Sequence, residues 1–127
     1  MMFREGGACP LREWFSSLPP KASGKGVGRL KRLASIGHEL RRPEADYLEE
    51  GIYELRWRFQ SVNYRVLYFF HGRDAVVLSH GFTKENRIPP GEIDIALRRK
   101  AMFLKNPETH AELATKKHCF FSDFMNS

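Results

Sequence analysis

Three stretches of alternating character lie back to back between Gly51 and Phe82. From Ile52 to Phe59, the residues Tyr53, Leu55, Trp57 and Phe59 fall on one side and Glu54, Arg56 and Arg58 on the other. That two-residue period is the period of a strand. Val62 to Phe70 sets Tyr64, Val66, Tyr68 and Phe70 against Asn63, Arg65, Leu67 and Phe69. Ala75 to Phe82 sets Ala75, Val77 and Ser79 against Val76, Leu78, His80 and Phe82. Richness in Val, Tyr, Phe, Trp and Leu favours strand over helix. Two short reversals, at Gln60-Ser61 and at His71-Gly72-Arg73-Asp74, join the runs into consecutive hairpins.

Register decides which side chains meet. Centred between Gly72 and Arg73, the second hairpin pairs Phe70 with Ala75, Tyr68 with Val77 and Arg65 with His80. The first hairpin pairs Arg56 with Arg65, or Arg58 with Arg65 if its turn slips. One face is then almost wholly apolar: Tyr53, Leu55, Trp57, Tyr64, Val66, Tyr68 and Val77. The opposite face divides into an apolar end (Leu67, Phe69, Val76, Leu78) and a basic end (Arg56, Arg58, Arg65, His80). With strands about 4.8 Å apart, the row Arg56–Arg65–His80 forms a cationic patch of nucleotide size. Taken singly, a strand arginine is more often a solvated residue and a lone histidine more often idle. Taken together they point to an anion, because like charges opposite one another destabilise a sheet and Glu54 is the single acid these strands place there.

Helical spacing flanks the strands. Leu11, Trp14, Phe15 and Leu18 predict a helix from Pro10 to Leu18, stopped by Pro19-Pro20. A second is expected from about Lys21 to Ile36, with Val27, Leu30, Leu33, Ala34 and Ile36 as its apolar residues and Gly37 as its stop. Gly24, Gly26 and Gly28 weaken its first half, which is expected to fray. SGKGVG lacks the phosphate-loop spacing and no strand precedes it, so it reads as a poor helical start with surface lysines. His38 to Glu50 reads as a polar, solvated connector carrying Glu44, Asp46, Glu49 and Glu50. After a basic turn containing Lys84 and Arg87, a third helix is predicted from about Pro90 to Leu104, with Ile93, Leu97, Ala101 and Leu104 at helical spacing. Laid over the apolar end of the divided face, it leaves the basic end as a groove rimmed by Lys84 and Arg87, with Arg98, Arg99 and Lys100 extending the positive field. Glu108 to Lys117 has the makings of a short further helix, and Phe120, Phe121 and Phe124 suit a docking tail.

Composition narrows the partners. A chain of 127 residues with a formal net charge of +6 fits one basic domain, suited to nucleic acid, an acidic partner or an anionic surface. No leader-like or membrane-spanning run is present, so a cytoplasmic location with reduced thiols is expected. Cys9 and Cys119 stand at opposite ends without metal-ligand spacing, and His110, His118 and Cys119 make a weak zinc pattern. No metal or cofactor is expected.

The run GIYELRWRF, then YRVLYFF, then HGFTKEN, followed by PxxExxxAxRR spacing around Pro89 to Arg99, resembles the RelE/HigB superfamily of type II toxins, phage-related HigB-like branch. The resemblance covers roughly Pro10 to Leu104. It implies an α+β, RelE-like domain at residues 1–105, with residues 106–127 a C-terminal extension. Two N-terminal helices would pack on a small twisted antiparallel sheet, with a C-terminal helix covering part of the other face. Members usually open with a strand, for which MMFREGGAC is a poor candidate, at best Met2-Phe3-Arg4. It further implies ribosome-dependent cleavage of mRNA and neutralisation by a cognate antitoxin, a HigA-like helix-turn-helix protein. Arg65 matches the arginine at the scissile phosphate, and Arg56 and Arg58 match groove-lining basic positions. His80 and Lys84 match the end of the last core strand and the turn after it, where catalytic or phosphate-binding groups reside.

The chemistry follows from metal-free RNA cleavage, in which the 2′-hydroxyl attacks its own phosphate. Arg65, with Arg56 or Arg58, would clamp the phosphate; His80 would move a proton; Lys84 would support the leaving side. Arg87, Arg98 and Arg99 would hold neighbouring phosphates. Two rivals use the same fold: a non-enzymatic ParE-like gyrase inhibitor, or a catalytically degenerate toxin that only binds its antitoxin. A basic adaptor that holds structured RNA without cutting it is a third.

Overall fold

The computed structural model describes residues 2–3, 8–72, 75–83 and 90–112; Lys84, Arg87, His118, Cys119, Phe120, Phe121 and Phe124 lie outside them. The elements run β1 (Met2–Phe3), α1 (Pro10–Ser17), α2 (Pro20–Ile36), a 3-10 turn (Gly37–Glu39), β2 (Ala45–Glu49), β3 (Ile52–Phe59), β4 (Val62–His71), β5 (Ala75–Thr83), α3 (Pro90–Lys105), α4 (Pro107–His110) and β6 (Ala111–Glu112). The strands form one sheet in the order β2-β3-β4-β5-β1-β6. The pairs are antiparallel except for β1, which runs parallel to β5. The fold is thus the expected α+β arrangement, two N-terminal helices on one face and a C-terminal helix on the other, but on a mixed sheet.

Each face of the sheet has its own core. Leu11 and Phe15 of α1 and Val27, Leu30 and Leu33 of α2 pack on Leu55, Trp57, Tyr64, Val66 and Tyr68. The indole Nε1 of Trp57 donates to the Ala22 carbonyl at 3.0 Å, tying β3 to α2. On the other face Ala96 and Phe103 of α3 cover Phe3, Ile52, Leu67, Phe69 and Val77. Burying each such aromatic or branched side chain is worth about 1.5–3 kcal/mol. Among the α3 positions predicted to face the core, Ala101 and Leu104 are exposed. Phe103 turns the helix instead, its ring meeting Phe69 edge-on at 5.7 Å.

The edges of the sheet depart from expectation. Met2 and Phe3 are fully buried, so the two-residue β1 is a firm strand. Sequence length alone made it look poor. The connector expected as solvated loop contains β2, whose inward residue is the small Ala45. Its acids and the exposed Tyr47 hid the alternation. Of the helix expected from Glu108 to Lys117, the described residues are helical over Pro107–His110 and then extended at Ala111–Glu112, which pairs with β1; the rest of that stretch lies outside the described residues.

The first hairpin has the centred register: Arg56 lies opposite Arg65, not Arg58. Gln60 and Ser61 both take positive φ, 49° and 68°, the geometry of a two-residue turn matched to strand twist. The second hairpin departs from expectation. His71 pairs with Ala75 and Tyr68 with Leu78, then a bulge leaves Ser79 unmatched and Leu67 pairs with His80. Arg65 therefore faces Phe82 rather than His80. Val76 and Leu78 join the α1/α2 core and Val77 the α3 core, the reverse of the predicted sides. The reversal starts at the turn, where Ala75 pairs with His71 rather than Phe70, a one-residue slip that exchanges the faces of Val76 to Leu78. The bulge at Ser79 adds a second residue and exchanges them again, returning His80 to the Arg65 side.

The glycines of α2 do not fray it; the helix is continuous from Pro20. Gly26 is a contact position, where a Cβ would lie 2.4 Å from the Trp57 ring and 2.8 Å from Phe15. Gly81 plays the same part on β5 beneath Trp14, with 2.2 Å available. A Cβ at Gly24 or Gly28 meets nothing within 4 Å. Urea unfolding should therefore separate them: Gly26→Ala destabilises by about 1–3 kcal/mol through overpacking, while Gly24→Ala and Gly28→Ala each stabilise by about 1 kcal/mol. Equal effects at the three sites would contradict this packing.

Candidate nucleic-acid interface

Direct opposition of Arg56 and Arg65 would be repulsive on its own. The sheet resolves it with Glu54, two residues along β3 on the same face. Its carboxylate accepts from Arg65 Nη1 and lies 3.8 Å from Arg56 Nη1. Arg56 Nε also donates to the Pro43 carbonyl at 2.9 Å. Glu54 is 2 % exposed and Arg65 9 %, so the pair sits at the bottom of the site. Burial raises the Glu54 pKa above the ordinary carboxylate value, outweighing the pull of Arg65 and Arg56 in the other direction.

Above this pair is a cavity of about 220 Å³ lined by Arg29, Pro43, Arg56, Trp57, Arg58, Asn63 and Arg65. It opens beyond the start of β2 at Ala45, where the last residues of β3 are left without an outer strand. The volume falls below the roughly 300 Å³ at which drug-sized ligand pockets begin. It suits a phosphate group, whereas the sequence suggested room for a nucleotide. Arginine forks match phosphate oxygens, and four guanidinium groups meet here. Arg29 was missed in the sequence because it belongs to α2, and only the tertiary fold lays α2 beside β3. Glu44 reaches back to it at 2.7 Å and to Arg32 at 2.8 Å.

The remaining predicted residues are distributed differently. His80 lies on the same face as Arg65, one diagonal step away on β5, but beneath α3 and 8 % exposed. Ser79 Oγ contacts its Nδ1 at 2.9 Å, while Nε2 points toward Glu92 at 3.5 Å, beyond hydrogen-bond contact. Burial, followed by the charge of Arg99, lowers its pKa to about 4, so it is neutral at pH 7. Glu92 does not offset these two effects. Arg99 donates to the Ser79 carbonyl at 3.1 Å and lies over the Phe3 ring at 5.3 Å, pinning α3 to the bulge. Arg98 is exposed on α3, its Nη1 3.6 Å from Met102 Sδ. Lys100 donates to the Glu50 carbonyl at 3.0 Å. The site therefore gathers Arg56, Arg58 and Arg65, adds Arg29, and leaves His80, Arg98 and Arg99 outside the cavity.

A larger cavity of about 590 Å³ lies beside β2, lined by residues that include His38, Arg41, Arg42, Asp46, Tyr47 and Tyr53. There Arg42 is tied to Asp46 at 2.7 Å and holds that carboxyl below its usual range. His110 stacks on Phe3 at 5.3 Å.

Two stability measurements follow. Glu54→Gln leaves Arg65 buried without its counter-charge and should cost about 3–5 kcal/mol in denaturant unfolding, whereas Glu54→Gln with Arg65→Met recovers most of the loss. Additive losses would contradict the pairing. For His80, a folded pKa of about 4 against an ordinary 6.5 means the unfolded chain takes up the proton first as pH falls. Its contribution is present above pH 6.5 and is lost toward pH 4, about 3 kcal/mol in all. The stability difference between the wild type and His80→Gln should shrink by that amount across the window; a constant difference would place the imidazole in water.

A model of the family described as phage derived protein Gp49-like (DUF891) matches residues 13–101. The chain has no match among curated proteins. The matched span runs from α1 through most of α3 and takes in β3, β4 and the arginine cavity. The chain belongs to the phage-derived Gp49-like family, a RelE/HigB-like toxin family.

Proposed function

We propose that the protein is the toxin of a type II toxin–antitoxin system and cleaves mRNA on the ribosome. The observation that carries the reading is the cavity in which Arg29, Arg56, Arg58 and Arg65 converge over Glu54. A phosphodiester entering it meets a pre-arranged set of forks, stabilising the charge that builds on the phosphorane. The 2′-oxygen bonds to phosphorus, the bond to the 5′-oxygen breaks, and the products are a cyclic phosphate and a 5′-hydroxyl. Neutral His80 accepts a proton but, with a pKa of about 4, does not supply one at pH 7. Protonation of the leaving oxygen falls in this reading to Lys84, the residue that follows Thr83 at the end of β5. Arg87, Arg98 and Arg99 are assigned to flanking phosphates, Arg99 only after exchanging the Ser79 carbonyl for phosphate. Orientation of the strand comes from the ribosome, which lets so spare a site suffice. A HigA-like helix-turn-helix antitoxin is the proposed partner, and the cytoplasm the proposed location. No helix among the described residues is long and apolar enough to cross a membrane.

The burial of Arg65 and His80 favours a second reading, a toxin fold that acts by binding alone, as a ParE-like gyrase inhibitor or as a degenerate toxin held by its antitoxin.

The two are separated by adding the protein to translating ribosomes and mapping mRNA 5′ ends, alongside a gyrase supercoiling assay. Cleavage predicts new ends bearing 5′-hydroxyls, reduced about a hundredfold in Arg58→Gln, which removes one stabilising donor. With about three phosphate contacts, single-strand binding weakens with salt at a log–log slope of about −2. Absence of new ends together with blocked supercoiling would establish the rival.

A further inference from the structure

The cavity is one end of a longer basic surface. α2 carries five cations, Lys21, Lys25, Arg29, Lys31 and Arg32, and no acid within Pro20–Ile36. Its apolar side, Ala22, Gly26, Val27, Leu30 and Leu33, is buried against the sheet, so the cations fall on the opposite side; Lys21, Lys25, Lys31 and Arg32 are exposed. Lys21, Lys25, Arg29 and Arg32 follow one another at spacings of four, four and three, a single row about 16 Å long at 1.5 Å per residue. Gly24 and Gly28 flank that row with open space above them. The row joins the cavity physically: Lys25 Nζ donates to the Arg58 carbonyl at 2.6 Å, and Arg29 belongs to both. Among the described residues, the acid that contacts the row is Glu44.

We infer that this face of α2 binds the phosphate backbone of double-helical RNA next to the strand being cut. The inference rests on the ribosomal reading above, since structured RNA then borders the substrate. Three features choose the occupant. Among the described residues the exposed large apolar side chains, Tyr47, Val62 and Leu104, all lie off α2, so the face lacks the apolar centre of a protein interface. It also lacks the aromatic rings on which single strands stack. What it presents is a rigid, straight, cationic row with low relief, which matches a backbone read by charge and shape.

The test measures binding of the full chain to a short blunt RNA duplex, the same sequence as DNA duplex, an unstructured RNA strand and an acidic peptide, across a salt series. Lys21→Gln/Lys25→Gln/Lys31→Gln/Arg32→Gln should lower duplex RNA affinity at least tenfold. It should also reduce the duplex salt slope by roughly 3–4, at about 0.9 per lost phosphate contact, and leave single-strand affinity within twofold. Lys21→Gln/Lys31→Gln, at two exposed positions, should give about half the change in slope and guards against misfolding. Unchanged duplex affinity in the quadruple variant overturns the inference, as does tighter binding of the DNA duplex or of the acidic peptide than of RNA. Arg58→Gln distinguishes the two proposals. Loss of cleavage there with intact α2-dependent duplex binding supports both, whereas a wild type that binds duplex but cuts nothing defeats only the nuclease reading.

Discussion

One additional residue, Ser79, determines which layer of the molecule each side chain of β5 reaches. Before it, Leu78 joins the α1/α2 core; after it, His80 lies on the α3 side and Gly81 receives Trp14. The bulge is held from both directions, its carbonyl by Arg99 and its hydroxyl by His80. Without it, β5 would turn His80 toward the α1/α2 core and set a side chain, not Gly81, beneath the Trp14 ring. Bulges redirect side chains at functional edges of sheets. Here the redirection places a histidine in the shelter of α3, where burial keeps it neutral.

Charge is distributed around a similar economy. A buried carboxylate is costly alone, and so are two guanidiniums face to face; together they offset one another. Glu54 thus permits arginines on neighbouring strands to approach, while Arg56 and Arg58 keep their surplus charge toward the opening. Because β2 begins only at Ala45, opposite Leu55, the last residues of β3 face no outer strand, and the exposed margin becomes the lip of the cavity. The edge strand, the buried acid and the α2 arginine are therefore parts of one arrangement. In the reading proposed for this Gp49-like, RelE/HigB-like chain, the arrangement would seat a phosphate against charge that exists before the substrate arrives.

Much of this was legible from residue order. The period-two runs located β3, β4 and β5, and the prolines bounded α1 and α2. Opposition of Arg56 with Arg65 followed from the centred turn at Gln60-Ser61, although neither residue advertises positive φ as Asn-Gly would. What residue order hid was tertiary. Neither the one-residue slip at the second turn nor the bulge at Ser79 leaves a compositional mark, and together they set His80 opposite Leu67 rather than Arg65. β1 is too short for periodicity, and β2, Ala-Asp-Tyr-Leu-Glu, shows no clean apolar alternation. Arg29 sits in a helix whose pattern reports its buried side and says nothing of which strand lies alongside. Gly26 looked like a weak point because propensity counts entropy, whereas the Trp57 ring needs the missing methyl.

The most direct test of the central claim is an arginine Nε–Hε NMR titration with a short RNA carrying a 2′-deoxy cleavage position, which binds without reacting. The account predicts that Arg56, Arg58 and Arg65 shift together along one saturation curve, joined by Arg29. Shifts confined to Arg98 and Arg99, or no common saturation among the cavity arginines, would contradict it.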